Sequence, residues 1–341
     1  MIYIHKIDVY YTSMVQHLTS ILVGLIMLEK QDYINLTIKK CSINQSNDSL
    51  NQPILTLIIN NKKVCIDVAD GYNNLKFIKK HIKDYDYYFK RSYSEKVNKK
   101  YGFKMIPYGL NYAVYNKELE KQGILTYSFK NIIKKMMFNM IGKKNYNQIY
   151  LEDIECNNIC IDDPPKILFS TRLWEEKEGG NDKINQMRID VVRKLKKKYG
   201  NNFYGGIYDN RLARQLCPDL IINKLHTLKY SYLNIMKKCD ICITTSGLYD
   251  SIGWKFAEYV IASKAILTEK LNYHVPGDFS EGKNYLVFED ANDCVNKVEC
   301  LLNNKDEILK MMNNNHKYYL EYLRPDVQVK RMIDYVINDS V

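Results

Sequence analysis

Two rhythms of hydrophobic and polar positions alternate along the chain. Residues 2–11 alternate as in a half-buried strand, and 16–30 carry Leu18, Ile21, Leu22, Leu25, Ile26 and Leu28 on one helical stripe. Residues 34–38 read as the next strand. Apolar runs at 53–59 and 63–68 flank a turn at Asn60-Asn61, 75–82 is helical, 85–89 is extended, and 104–107 is a short strand. After Asp162-Asp163-Pro164-Pro165, a polar break marked by proline, the alternation resumes. Strands are expected at 166–170, 202–207, 240–245, 265–268 and 285–288, with helices at 183–199, 230–238 and 253–262 and more helix toward the end. Strands alternating with helices predict an α/β protein whose sheets are parallel and covered on both faces.

A length of 341 residues suits two domains. The expected division is 1–116, an interdomain segment 117–163, and 164–341, with a ligand cleft between the carboxyl ends of the two sheets. The interdomain segment contains a helical stripe, Phe129, Ile132, Ile133, Met136, Met137, Met140 and Ile141, flanked by Lys130, Lys134, Lys135, Lys143 and Lys144. Two readings stay open. The helix packs its apolar face on the protein, the commoner fate of such helices, or it lies on an anionic membrane surface.

Composition narrows the partners. The net charge is +11, most of it before Asn116. That excess fits nucleic acid, an anionic membrane surface or phosphorylated substrates, and no RNA- or DNA-binding motif accompanies it, so a nucleic-acid partner is not expected. Cys239 and Cys242 form a CxxC inside an apolar run that reads as a buried strand, with no second ligand pair, so no metal is expected there. Tyr3, His5, Lys6 and Asp8 interrupt any leader-like run, and no window approaches the roughly 20 apolar residues of a membrane span. The expected setting is the cytoplasm, with peripheral contact at the inner face of the membrane if residues 129–144 make it.

The richest chemistry lies in 244–269. A buried strand ends at Thr245, the turn Ser246-Gly247-Leu248-Tyr249-Asp250-Ser251-Ile252 follows, and a helix opens near Gly253. The first N–H groups of a helix lack intrahelical partners and, with the helix dipole, suit a diphosphate; Gly253 would let phosphate approach the backbone. Glu258 sits eight residues after Asp250 inside an apolar helix, where a carboxylate needs a partner or ligand hydroxyls, such as the paired hydroxyls of a ribose.

Asp250-x7-Glu258 resembles the acidic pair of the retaining GT-B glycosyltransferases of group 1, the large family related to glycogen synthase. A second match lies upstream: Thr171-Arg172-Leu173 after a strand, with Lys177 five residues beyond Arg172, is similar to that family's Gly-Arg-Leu and lysine. The resemblance implies two Rossmann-like domains and transfer of a sugar from a nucleoside diphosphate sugar to a growing glycan or lipid-linked acceptor, with retention. It implies Arg172, Lys177 and Asp250 as catalytic residues, and Thr171, Gly247, Ser251, Ile252, Gly253 and Glu258 as donor-binding residues. Cations held in place would stabilise charge on the departing diphosphate, with no metal or other cofactor. This chain departs from the family pattern at Asp250 for Glu, Thr171 for Gly and Ser263 for Gly. A looser similarity to bacterial surface-polysaccharide glycosyltransferases covers Phe89-Lys90-Arg91, 107–112 and 280–285. As in GT-B proteins generally, the segment 318–337 would be a helix that crosses back to the first domain.

The first domain should face the acceptor. Its candidates are His17, near a helix start, and Lys90 and Arg91, at a strand end, each with a plain alternative as a solvated side chain. Asp67 and Asp70 fit a turn better than a base role. Asp84-Tyr85-Asp86 looks like a metal-binding DxD without its context and is read as coincidental. A sugar-nucleotide epimerase and a non-catalytic sugar-binding protein are the rival readings.

Overall fold

The computed structural model describes residues 5–11, 15–40, 52–124, 149–156, 158–175 and 182–339. The helical stripe at 129–144 and Lys177 lie outside the described residues. The chain forms two compact units. The first takes residues 1–150, 273–276 and 320–341, and the second takes 151–272 and 277–319. The chain thus enters the second unit at Leu151 and returns to the first at Leu320, and the helix Pro325–Asn338 belongs to the first unit.

The first unit holds a six-stranded sheet in the order β2-β1-β3-β4-β5-β6, with β1 His5–Tyr11, β2 Ile34–Lys40, β3 Ile54–Ile59, β4 Lys62–Asp67, β5 Tyr87–Lys90 and β6 Met105–Pro107. Five strands run one way, and β3 runs against its neighbours β1 and β4. That departs from the all-parallel sheet expected. Its cause is local: Asn60 and Asn61 both take positive φ, 47° and 64°, the tight hairpin turn whose backbone suits asparagine, and it folds β4 straight back on β3. Helix α1, Thr19–Lys30, is buried on nearly all sides, as expected of a helix that is apolar all round. A Cβ on its Gly24 would lie 2.2 Å from the Pro325 carbonyl oxygen, so glycine permits the close crossing of α1 and the C-terminal helix. Helices α2, Leu75–His81, and α3, Glu95–Tyr101, connect the later strands.

The second unit holds a fully parallel sheet in the order β11-β10-β9-β7-β8, with β7 Ile167–Thr171, β8 Phe203–Ile207, β9 Ile241–Ile243, β10 Ala265–Thr268 and β11 Leu286–Val287. Helices α4, Asp182–Tyr199, α5, Lys229–Lys237, α6, Trp254–Ile261, α7, Ala291–Leu302, and α8, Lys305–Tyr318, cover it. Every residue of β7, β9 and β10 is buried, which explains their unbroken apolar runs. The expected α/β class is therefore present, in two units that each alternate strands and helices around a sheet. In the second unit the strand order reverses between β7 and β9, and doubly wound sheets bind ligands outside the carboxyl ends of the strands at such a reversal.

Candidate active site

The carboxyl end of β7 leads directly into Thr171-Arg172-Leu173, and that of β9 into Thr244-Thr245-Ser246. The predicted donor residues therefore converge on the reversal point. Thr171 is buried, and its carbonyl accepts from Tyr208 N at 2.8 Å. Arg172 is exposed, and its guanidinium stacks over the Trp174 ring, 3.3 Å from the centroid. The loop that carries it is clamped from several sides. Asn185 on α4 accepts from Trp174 N and donates to Trp174 O, both at 2.9 Å, and Asn210 donates to Leu173 O at 2.8 Å.

One turn along α4, Arg188 closes the crevice between the two strand ends. It is buried and donates to Arg172 O at 2.6 Å, to Thr245 Oγ1 at 2.9 Å and to Ser246 O at 2.9 Å. Burial lowers its pKa to about 10, against the raising influence of Glu269, whose carboxylate takes the Ser246 N–H. A second cation comes from the first turn of α6. Lys255 Nζ donates to Ser170 O and to Tyr208 Oη, and it sits over the Tyr208 and Tyr232 rings. Burial lowers its pKa to about 7; Glu258 works against that, while Lys229, Arg188 and Arg172 add to it. Neither Arg188 nor Lys255 was singled out from the sequence. Each had a signal there: Arg188 falls on the buried stripe of α4 with Asn185, Val192 and Leu195, and Lys255 shares a helix face with Glu258.

Gly253 caps α6 without a side-chain hydrogen bond, and a Cβ there would meet nothing within 4 Å, so the helix start lies open to a close approach. Gly247 has a different reason. A Cβ on it would fall 2.8 Å from Ser251 Oγ, and its N–H donates to Ser251 O at 2.9 Å, so it shapes the turn. Asp250 is exposed and follows Tyr249, and both have left-handed backbone, φ 57° and 54°. Two adjacent non-glycine residues in that region hold strain of the kind that gathers at functional loops. Asp250, Ser251, Ile252 and Gly253 line one small hollow with Thr244, Thr268 and Lys270. On the other side of β7, a cavity of about 490 Å³ is lined by Arg172, Glu175, Tyr208, Asn210, Arg214 and Lys224, among others. Glu258 is buried, and the partner it needed is Lys229, which donates to Oε1. Ser263 takes φ 54°, a left-handed conformation that favours glycine, and its Oγ meets His316 Nδ1 at 3.1 Å.

In the first unit, Lys90 lies in a buried ion pair rather than on a solvated strand edge. Parallel register places Lys90 opposite Asp67, and both side chains are fully buried. Lys90 Nζ donates to Asp67 Oδ1 and Ala69 O, both at 3.1 Å, while Asp67 Oδ2 accepts from Asn74 and Tyr88. Arg91 is buried against Asp70, 2.9 Å away. His17 ends the short turn before α1, close enough to Asp70 and Arg91 to feel both charges, and burial lowers its pKa. Asp86 ties the start of β5 to β4, accepting from Lys63 N at 2.7 Å and donating its own N–H to Lys63 O at 2.8 Å. Burial raises the thiol pKa of Cys239 to about 12 and that of Cys242 well above its ordinary value. No helix among the described residues is long and apolar enough to cross a membrane.

A doubly wound parallel sheet with cations packed beneath its reversal point defines an α/β unit suited to an anionic, phosphate-bearing ligand. No family model matches the chain, and no curated protein matches it. Among solved structures, the chain is similar to glycosyltransferases of group 1 and to an epimerase. One is the C-terminal domain of a glycosyl transferase group 1 family protein, LpcC, from Francisella tularensis, at 12% identity and a TM-score of 0.35, covering 50% of this chain and 95% of that one. Another is a mutant of S. aureus TarM in complex with fondaparinux, alpha-GlcNAc-glycerol and UDP, at 13% identity and a TM-score of 0.49, covering 92% of this chain and 58% of TarM. A third is a putative UDP-N-acetylglucosamine 2-epimerase from Listeria monocytogenes, at 10% identity and a TM-score of 0.48, covering 98% of this chain and 95% of that one.

Proposed function

We propose that the chain is a glycosyltransferase that takes a sugar from a nucleoside diphosphate sugar and passes it, with retention, to a growing glycan or lipid-linked acceptor, in the manner of surface-polysaccharide synthesis. The observation that carries this reading is the cationic floor at the β7/β9 reversal. Arg188 is buried there and Lys255 half-buried, and, among the described residues, both donate only to carbonyl and hydroxyl oxygens, so their charge favours a bound anion. The open start of α6 adds aligned N–H groups. In the reaction, the bond from the anomeric carbon to the diphosphate oxygen breaks, and both electrons stay with the diphosphate. A bond to the acceptor oxygen forms, and the acceptor proton passes to the departing phosphate. Arg172, Lys177 and the helix start would stabilise the charge that appears on the diphosphate, the role a metal takes elsewhere. Asp250, on its strained turn, would meet the sugar, and Glu258 the ribose. His17 would face the acceptor.

Incubation with labelled sugar nucleotides tests this. Transfer to an acceptor, or slow hydrolysis of the donor, is the expected result. Conversion of the donor to its epimer would replace the transferase by an epimerase, and binding without turnover would leave a sugar-nucleotide binding protein. Flotation of the full chain with anionic liposomes tests the peripheral membrane contact expected of residues 129–144.

A further inference from the structure

Most of the chain's positive charge precedes Asn116, and the folded first unit shows where much of it lies. Helix α2 and the turn after it carry Lys76, Lys79, Lys80 and Lys83, all exposed and spaced so that they share one face. Helix α3 and the residues after it repeat the device with Lys96, Lys99, Lys100 and Lys104, again all exposed. The opposite side of α2 is apolar and buried: Phe77 and Ile78 join Cys65, Tyr88 and Met105 in one core cluster, with Phe103 packed against it. Topology sets the two lysine stripes side by side. Helix α2 joins β4 to β5, α3 joins β5 to β6, and these strands are adjacent and parallel. Right-handed crossovers between such neighbours lay both helices on the same face of the sheet. Contacts agree with that: Lys79 Nζ of α2 sits over the Tyr101 ring of α3, 4.2 Å from its centroid, and Lys100 reaches the same ring at 5.4 Å. Tyr101 stacks on Phe103, and both rings are half-buried.

Residues 75–84 and 95–104 hold two carboxylates, and each already has a partner: Asp84 meets His81 at 2.9 Å, and Glu95 meets Lys99 at 2.6 Å. Lysines crowded on one face repel one another, and an anionic surface relieves that repulsion. The make-up of the face selects the surface. Neither segment contains an arginine. A compact charge on a flexible stem suits loosely ordered headgroups, whereas arginine suits phosphates held in fixed bidentate geometry. The lysines spread over two helices, a width that meets a plane of headgroups rather than one polymer strand. Tyr101 and Phe103 add aromatic rings of the kind that settle at a bilayer interface. We infer that the α2/α3 face of the first unit docks on an anionic lipid bilayer. This contact is separate from the one expected of residues 129–144, and it stands or falls independently of the sugar-nucleotide reading.

The test is flotation of the full chain with vesicles of phosphatidylcholine alone and of phosphatidylcholine mixed with phosphatidylglycerol. The wild type should partition onto the mixed vesicles and not onto the neutral ones, and added salt should release it. The combined variant Lys76→Gln, Lys80→Gln, Lys96→Gln and Lys100→Gln should bind the mixed vesicles about a hundredfold more weakly, since each lysine near an anionic surface contributes severalfold. A control removes the same charge from exposed positions on α4 in the second unit: Lys183→Gln, Lys194→Gln, Lys196→Gln and Lys197→Gln should weaken binding by less than about threefold. Equal losses in both variants would make net charge, not this face, the cause, and would overturn the inference. So would a first variant that floats like the wild type, or a wild type that does not float. Tighter binding to a soluble oligonucleotide than to vesicles, lost in the first variant alone, would put a polymer in place of the bilayer and overturn it too. Should the first variant not fold, acetylation footprinting of the wild type decides: mixed vesicles should shield the lysines of α2 and α3 and leave those of α4 reactive, and the reverse pattern would refute the docking face.

Discussion

The carboxyl edges of the two sheets solve the same electrostatic problem in opposite ways. In the first unit each buried cation meets a carboxylate: Lys90 is locked to Asp67, and Arg91 to Asp70. That edge neutralises itself. In the second unit Arg188 is buried and Lys255 half-buried against carbonyl and hydroxyl oxygens; Glu269 and Glu258 act on them electrostatically, but neither cation makes an ion pair among the described residues. A buried cation with no carboxylate at ion-pair distance is costly in a finished core and useful beneath an anion site. The same residue types therefore serve structure on one sheet and ligand electrostatics on the other, and the placement of carboxylates makes the difference.

The sharpest way to break this contrast is Arg172→Ala. Donor turnover should fall by about a hundredfold or more, the scale seen when one preplaced charge-stabilising donor is removed. Because the side chain is exposed, the melting temperature should move by no more than about 2 °C. Normal turnover would show that the charge on this edge does not serve the reaction. Gly24→Val acts on the other unit, as a structural counterpart. Its new atoms meet the Pro325 carbonyl, and stability should fall by about 3 kcal/mol in chemical denaturation, the scale of overpacking.

Lys255 sharpens the contrast through pH. Its pKa is lowered to about 7, whereas a lysine in the unfolded chain titrates near 10.4. Between those values the unfolded chain holds a proton that the folded chain has released, so folding stability contributed by this group rises with pH. Diphosphate affinity should move the other way, because a bound anion favours the protonated amine. It should fall by up to about tenfold per pH unit above 7, until the amine of the complex also titrates. Calorimetry at three pH values checks this, and Lys255→Met should flatten the dependence. In the first unit, His17→Ala should lower kcat/KM for the acceptor by about tenfold, one contact's worth, while leaving donor hydrolysis in place. The smallest effect belongs to Ser263→Gly, which relieves a left-handed backbone but loses the contact with His316, so stability should change by less than about 1 kcal/mol.

The periodic elements were legible because burial imposes them. The helix expected at 183–199 is Asp182–Tyr199, and the strand at 265–268 is Ala265–Thr268. The Asn60-Asn61 turn was visible too, yet its consequence, an antiparallel β3, depends on strand direction, which apolar runs do not encode. The candidate site was legible where residue type and turn chemistry mark it, at Arg172, Gly253 and Glu258. Arg188, Lys255 and Lys229 were hidden among 50 lysines and arginines, because only tertiary burial separates a cation under the sheet from one in water. Lys90 shows the opposite sense: its burial is set by cross-strand register with Asp67, a contact 23 residues away in sequence that a strand-end position does not reveal.

The most direct test is a thermal-shift panel of UDP-, GDP-, dTDP- and CMP-sugars on the wild type and on Arg172→Ala. A sugar nucleotide at a hundred times its dissociation constant adds about 2.7 kcal/mol, so the wild type should melt about 5 °C higher with one member of the panel. The same compound should leave Arg172→Ala nearly unshifted. An equal shift in both proteins, or no shift with any sugar nucleotide, would contradict a diphosphate held at the reversal of the second sheet.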